Sequence, residues 1–248
     1  MIVFVHGVPE TQRVWDAMRA ELDEPSLAVS LPGFGTRRPP GFAATKDEYV
    51  DWLATELGRI DGDIDLVGHD WGAGLTLRLA THPDRPVPLR SWAIDVANIF
   101  HPRYEWHDFA RIWQTPGEGE SFFEQQLATP VEERAGVFEM FGLGTDDARA
   151  MASWLDDEMA HSILALYRSA TPNPYADWGA DLGPTEAPGL VLVPTADPFG
   201  DRDLATEVAS MTGARTADLD ARGHWWPMED PRGATATLRG FWSSLPTA

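Results

Sequence analysis

The sequence predicts an α/β protein, a mostly parallel sheet wrapped by helices on both faces and interrupted by a helical insertion. Three observations predict it. Short apolar runs alternate with amphipathic segments towards both ends of the chain, the pattern of repeated βαβ units. From about residue 98 to about residue 175 no clear strand-like run occurs, and apolar side chains recur at helical spacing. A glycine-flanked turn, Gly68-His69-Asp70-Trp71-Gly72, links an apolar run to a helical one.

The elements follow in order. Ile2-Val3-Phe4-Val5 reads as a buried strand that ends in His6-Gly7-Val8-Pro9. It lacks the basic region and small-residue cleavage site of a signal peptide. Val14, Trp15, Met18 and Leu22 mark a helix. Residues 26–31 form a second strand, stopped by Pro32-Gly33. Residues 47–60 carry Tyr49, Val50, Leu53, Leu57 and Ile60 on one helical face. Strand 64–67 and helix 72–80 flank the turn, and 89–96 is a further strand. After the insertion come strand 189–194, a helix at 205–211, strand 215–219 and a last helix at 231–242. The expected organisation is a sheet core from residues 1–98 and 176–248, with 99–175 as a helical cap. A chain of 248 residues suits this size of core plus insertion.

Composition removes several function classes. There is no cysteine, so thiolate nucleophiles, disulfides and cysteine metal sites are excluded. No apolar run is long enough to span a membrane. A formal net charge of −20 repels phosphate backbones and anionic lipids. The expectation is a cytoplasmic enzyme with no nucleic-acid or membrane partner, and the sequence allows a homodimer.

The chemistry centres on Asp70. Glycines at 68 and 72 permit the tight strand-to-helix turn that lifts a nucleophile above the end of a sheet. A carboxylate there attacks alkyl carbon and forms an ester, whereas a serine would form an acyl-enzyme. Two residues in the expected chain order complete the set. Asp197 follows strand 189–194, and His224 follows strand 215–219. His224 would take a proton from water, and Asp197 would orient its imidazole. Asp95, Asp201 and Asp203 are rivals for the acid role. The backbone N–H groups of Val8 and Trp71 would form an oxyanion hole.

These segments carry a resemblance. His6-Gly7-Val8-Pro9-Glu10, Leu31-Pro32-Gly33-Phe34-Gly35, Gly68-His69-Asp70-Trp71-Gly72, Leu166-Tyr167-Arg168-Ser169, Asp197 and Gly223-His224-Trp225 resemble the α/β-hydrolase superfamily. The likeness is to its aspartate-nucleophile branch of epoxide hydrolases and dehalogenases. The resemblance implies the α/β-hydrolase fold with a cap over the pocket. The family's first strand pair is missing here, which leaves about six strands. Fluoroacetate dehalogenases place arginines one and four positions after the nucleophile, where this chain has Trp71 and Gly74.

Two leaving groups then compete. The resemblance gives haloalkane dehalogenases a tryptophan after the nucleophile as halide donor, and Trp71 matches. Their second donor is an asparagine where Val8 stands, or a cap tryptophan such as Trp106 or Trp113. Epoxide hydrolases protonate the ring oxygen with cap tyrosines. Tyr167 matches one of these, Ile112 stands in place of the other, and Tyr104 is the nearest substitute. On Tyr167, Val8 and Glu10 the favoured function is epoxide hydrolysis to a vicinal diol, with haloalkane dehalogenation as the alternative. A binding protein on this scaffold is disfavoured by the intact triad, and an esterase by the aspartate. No metal or organic cofactor is implied. The substrate is expected to be small, apolar and uncharged, in a pocket built from His6, Pro9, Tyr104, Trp106, Trp113 and Trp225.

Overall fold

A computed structural model describes residues 1–84 and 87–246. Among the described residues there is one six-stranded sheet, in the order β2-β1-β3-β4-β5-β6 with every adjacent pair parallel. The strands are β1 (Ile2–Val5), β2 (Ser26–Val29), β3 (Ile64–Gly68), β4 (Leu89–Ile94), β5 (Gly189–Pro194) and β6 (Arg215–Leu219). The α/β-hydrolase fold read from the sequence, including its six strands, is the one observed.

Burial explains the strand composition. β1, β3 and β5 are buried along their whole length, as strands covered on both faces must be. Side chains alternate between the two faces. Val3, Val5, Leu66 and Val191 join one core with Leu75, Leu53 and Val208. Ile2, Phe4, Val67, Leu190 and Leu192 join the other with Trp15, Trp226 and Leu238. The edge strands differ: β2 exposes Leu27, and β6 exposes Arg215, Thr216 and Asp218.

Several boundaries move. The helix expected around Val14 is a 3-10 turn, Gln12–Trp15, followed by the short helix Asp16–Ala20. β4 ends at Ile94 rather than 96, because Asp95 turns down to accept the Asp70 N–H and Val96 adopts a left-handed φ of 36°. Helix Lys46–Leu57 starts at a capping box in which Thr45 accepts the Glu48 N–H and Glu48 reaches back. Between β4 and β5 the described chain is helical, with Asp108–Gln114, Glu118–Ala128, Val131–Met140, Thr145–Trp154 and Asp157–Arg168 as its longer helices.

The chain order places the site. β1 leads out to β2 on one side, and the next strand, β3, lies on the other side of β1. Ligands of open parallel sheets bind outside the carboxyl ends of the strands, at such a switch point. The loops after β1 and β3 meet there, and they carry Val8 and Asp70.

Candidate active site

Asp70 sits between β3 and helix Trp71–Thr81 with φ 51° and ψ −121°. This is a strained conformation for a residue with a side chain, and the neighbours enforce it. A Cβ on Gly68 would come within 2.3 Å of the Gly72 carbonyl oxygen, and one on Gly72 within 2.2 Å of the Val5 oxygen. Only glycine lets these backbones approach so closely. The Asp70 N–H is held by Asp95 Oδ1 at 2.9 Å.

The carboxylate oxygens have different surroundings. Oδ1 accepts the Val8 N–H at 2.7 Å, and the Trp71 N–H also donates to the carboxylate. Oδ2 lies 3.9 Å from His224 Nε2, beyond a direct hydrogen bond. His224 Nδ1 is 2.9 Å from Asp197 Oδ2, and Asp197 Oδ1 accepts the Phe199 N–H at 2.8 Å. Nδ1–H thus donates to Asp197, leaving Nε2 towards Asp70. Asp197 is the acid that meets His224. Of its rivals, Asp201 caps helix Arg202–Thr212, Asp203 is exposed, and Asp95 lies under the turn.

Electrostatics follow from burial and pairing. Burial is the largest influence on Asp70 and lifts it to about 6, against the pull of His224. Burial opposes charge on His224, yet Asp197 outweighs it and holds the imidazole above its ordinary range. His107, on the cavity wall, is pushed down to about 4 by burial and stays neutral.

Beneath the turn, Glu10, His69, Asp95, Trp225 and Trp226 form a buried network that the sequence does not join together. Fully buried His69 stands between two carboxylates. Its Nδ1 meets Asp95 Oδ2, while Nε2 lies 2.9 Å from Glu10 Oε1, off the line of a good hydrogen bond. Burial opposes the charge on His69, but Asp95 and Glu10 raise its pKa well above the ordinary value. Glu10 is held down to about 2 despite its burial, chiefly by His69. Glu10 also accepts the Gly7 N–H and the Trp225 indole N–H, and Asp95 accepts the Trp226 indole N–H. The network fixes the β1 loop, the turn and the His224 loop to one another. Its sequence signal was a carboxylate at the end of β4, beside the turn. Glu10, His69 and His224 bring ligand-type atoms within 4.8 Å of one another. A metal needs deprotonated ligands, whereas His69 is held as a cation by its two carboxylates.

A cavity of about 140 Å³ opens in front of Asp70. Val8, Pro9, Trp113, Tyr167, His224 and Trp225 line it, as do phenylalanines from the inserted helices. Tyr104 and Trp106 line a smaller adjoining crevice with Asp70, Trp71 and Tyr167. His6 is absent from both walls. It is fully buried, with Nδ1 toward the Gly7 carbonyl and Nε2 accepting the Leu31 N–H, so it shapes the loop rather than the pocket. Tyr167 is buried edge-on to Trp71, with ring centroids 5.4 Å apart. Burial, with the charge of Asp70, pushes the Tyr167 hydroxyl well above its usual pKa. The Trp106 indole N–H is used by the Ala170 carbonyl, whereas that of Trp113 is buried without a partner.

Comparison with known proteins agrees with this architecture. The chain is similar to haloalkane dehalogenase DatA from Agrobacterium tumefaciens C58, at 20% identity and a TM-score of 0.78, over 99% of this chain and 89% of that one. It is also similar to a loop variant of haloalkane dehalogenase DbeA from Bradyrhizobium elkanii, at 20% identity and TM-score 0.75, covering 98% and 89%. Identities this low speak to the fold alone. No curated protein sequence matches the chain. The pattern of the alpha/beta hydrolase family, in contrast, matches residues 2–238. With that match spanning the sheet, the turn and the His224 loop, the chain belongs to the α/β hydrolase family.

Proposed function

We propose that this hydrolase displaces a leaving group from saturated carbon through an alkyl ester on Asp70, and that the leaving group is an epoxide oxygen. The observation that carries the ester mechanism is the unequal setting of the two Asp70 oxygens. Oδ1 already occupies the N–H cradle of Val8, and Oδ2 faces the cavity and His224. In the first step Oδ2 attacks the epoxide carbon. The C–O ring bond breaks, its electron pair stays on the ring oxygen, and Tyr167 supplies the proton. In the second step His224 Nε2 removes a proton from water while the water oxygen adds to the ester carbonyl. The oxyanion on Oδ1 rests on the N–H groups of Val8 and Trp71. Collapse expels the diol oxygen, which takes the proton from His224, and the carboxylic acid left on Asp70 returns its proton to the Tyr167 phenolate, so that every group regains its starting state. The inserted helices act as the cap that shields these steps from solvent.

A second reading, haloalkane dehalogenation, has specific support. The similar solved structures are haloalkane dehalogenases, and these comparisons favour halide over epoxide. The unpartnered Trp113 indole is a donor of the type a halide needs, beside Trp71. Tyr167 favours the epoxide, because its phenol shares a crevice wall with Asp70 and can donate to a ring oxygen held there, a donor that a halide does not require. Separate incubations with styrene oxide and with bromobutane, assayed for diol and for bromide, decide the matter. Diol without bromide is expected. Bromide without diol assigns the halide reading, and neither product removes both.

Both ionisations shape the pH dependence in one direction. As pH falls through about 6, Asp70 gains a proton and loses its nucleophilic oxygen. His224 must be neutral to accept a proton, and Asp197 holds it charged above the ordinary imidazole pKa. Ester formation removes the charge of Asp70 but leaves that of Asp197. Turnover number should therefore climb with pH across the range of about 5 to 8. A flat or falling profile over that range contradicts the assignment of both groups.

A further inference from the structure

The inserted helices bury one charge that the mechanism above does not use. Arg134, on helix Val131–Met140, is only 9% exposed and lines the same cavity as Asp70. Its Nε and Nη1 are buried without a hydrogen-bond partner. Among the described residues no carboxylate pairs with it. The wall of the same cavity is largely apolar and includes Val137, Phe138, Met151 and Leu155.

A guanidinium cannot escape this position by losing its proton. Burying a charge without a counter-charge is costly, and helix Val131–Met140 has exposed positions where a solvated arginine would incur no such cost. The matching anion is then one that enters the cavity. Among the described residues Arg134 is the one guanidinium in the cavity wall, and neutral His107 adds no second positive charge. A single fork of N–H donors matches a monoanionic carboxylate in geometry and in charge.

We infer that Arg134 is a carboxylate subsite, and that the preferred substrate carries a carboxylate separated from its electrophilic carbon by an apolar body. The inference rests on the reading of this cavity as the active site, and it replaces the uncharged substrate expected from the sequence. The overall negative charge of the protein does not oppose it at close range. Surface charges are screened over about 8–10 Å of salt solution, whereas Arg134 acts inside a cavity walled by apolar side chains.

The test is a binding measurement that needs no turnover. Phenylbutyrate and phenylbutanol share one apolar body and differ in the carboxylate. At a pH where the acid is ionised, quenching of tryptophan fluorescence by the wild-type protein should report binding of the acid about 10- to 100-fold tighter than the alcohol. In Arg134→Met, which keeps the length of the side chain, the preference should shrink to about twofold or less. Arg134→Lys should retain part of it. Equal affinities in the wild type overturn the inference without any variant, as does a preference that survives Arg134→Met. If Arg134→Met does not fold, the wild-type ratio together with Arg134→Lys decides. A normal acid preference in a protein that yields neither diol nor bromide leaves the subsite standing and removes the proposed reaction. Diol or bromide formation with no acid preference does the reverse.

Discussion

His224→Gln is expected to take up one substrate molecule and release none. Attack by the ionised Asp70 carboxylate needs no base, because the nucleophile is already an anion. Hydrolysis of the resulting ester does need one, and a positioned general base contributes about 100- to 10,000-fold. Glutamine fills a similar volume beside Asp197 but cannot accept and pass on a proton. The first half-reaction should proceed and the second should stall. Intact-protein mass spectrometry after exposure to substrate should show a rise equal to the whole epoxide mass. For an alkyl halide the rise should equal the alkyl group less the hydrogen it replaces. Peptide mapping should place the adduct on Asp70. Full turnover by the variant would remove His224 from the base role, and an unmodified protein under conditions in which the wild type reacts would remove Asp70 from the nucleophile role.

Tyr167→Phe carries the other large effect, and it separates the two leaving groups. A ring-opened alkoxide stays attached to its carbon and is strongly basic, so it needs a proton as it forms. A halide needs only weak donors such as an indole N–H. Loss of one donor to a developing charge costs about 2.7–4 kcal/mol, or about 100- to 1000-fold in turnover. Tyr167 is buried and packs on Trp71 and Trp113 through its ring, which phenylalanine preserves. Diol formation should fall by that factor while the unfolding midpoint changes little. If Tyr104, which shares the crevice with Tyr167, donates as well, the loss is smaller and the double substitution to phenylalanine abolishes turnover. Unchanged diol formation would dismiss Tyr167 as the acid. An equal loss on bromobutane would mean that the hydroxyl shapes the cavity instead of serving the ring oxygen.

Much of this site was legible because its chemistry sits at strand ends. Asp70 and Asp197 come within a few residues of the apolar strands β3 and β5, His224 follows the more polar β6 after a short loop, and the glycines at 68 and 72 mark the turn by their spacing. Such signals are local, and the strands kept their places to within two residues. What escaped reading depends on partners far away in the chain. The contacts of His69 with Asp95, Asp95 with Trp226, and Glu10 with Trp225 span 26, 131 and 215 residues. No periodicity encodes them. His6 looked like a pocket residue because it borders the oxyanion loop, yet both its nitrogens are spent on backbone. Arg134, next to Glu132 and Glu133, carries no sequence signal that separates it from a surface arginine. Its burial follows from how neighbouring helices close around the cavity.

The distances along the chain that hid this network also set when the enzyme can work. At about 5–20 residues per second, the ribosome needs roughly 8–30 s to pass from Asp70 to His224. During that interval the turn and its glycines exist, but Glu10 and Asp95 lack the indole donors of Trp225 and Trp226. β5 meanwhile offers an unpaired edge until β6 arrives. One face of the sheet also waits for Trp226, Leu238 and Phe241, which complete the core around Phe4 and Trp15. A nascent chain of this protein therefore carries Asp70 without the His224 that the proposed mechanism pairs with it, above a half-covered sheet. Synthesis of the last short stretch both brings His224 to the turn and covers the β5 edge and the apolar face of the sheet.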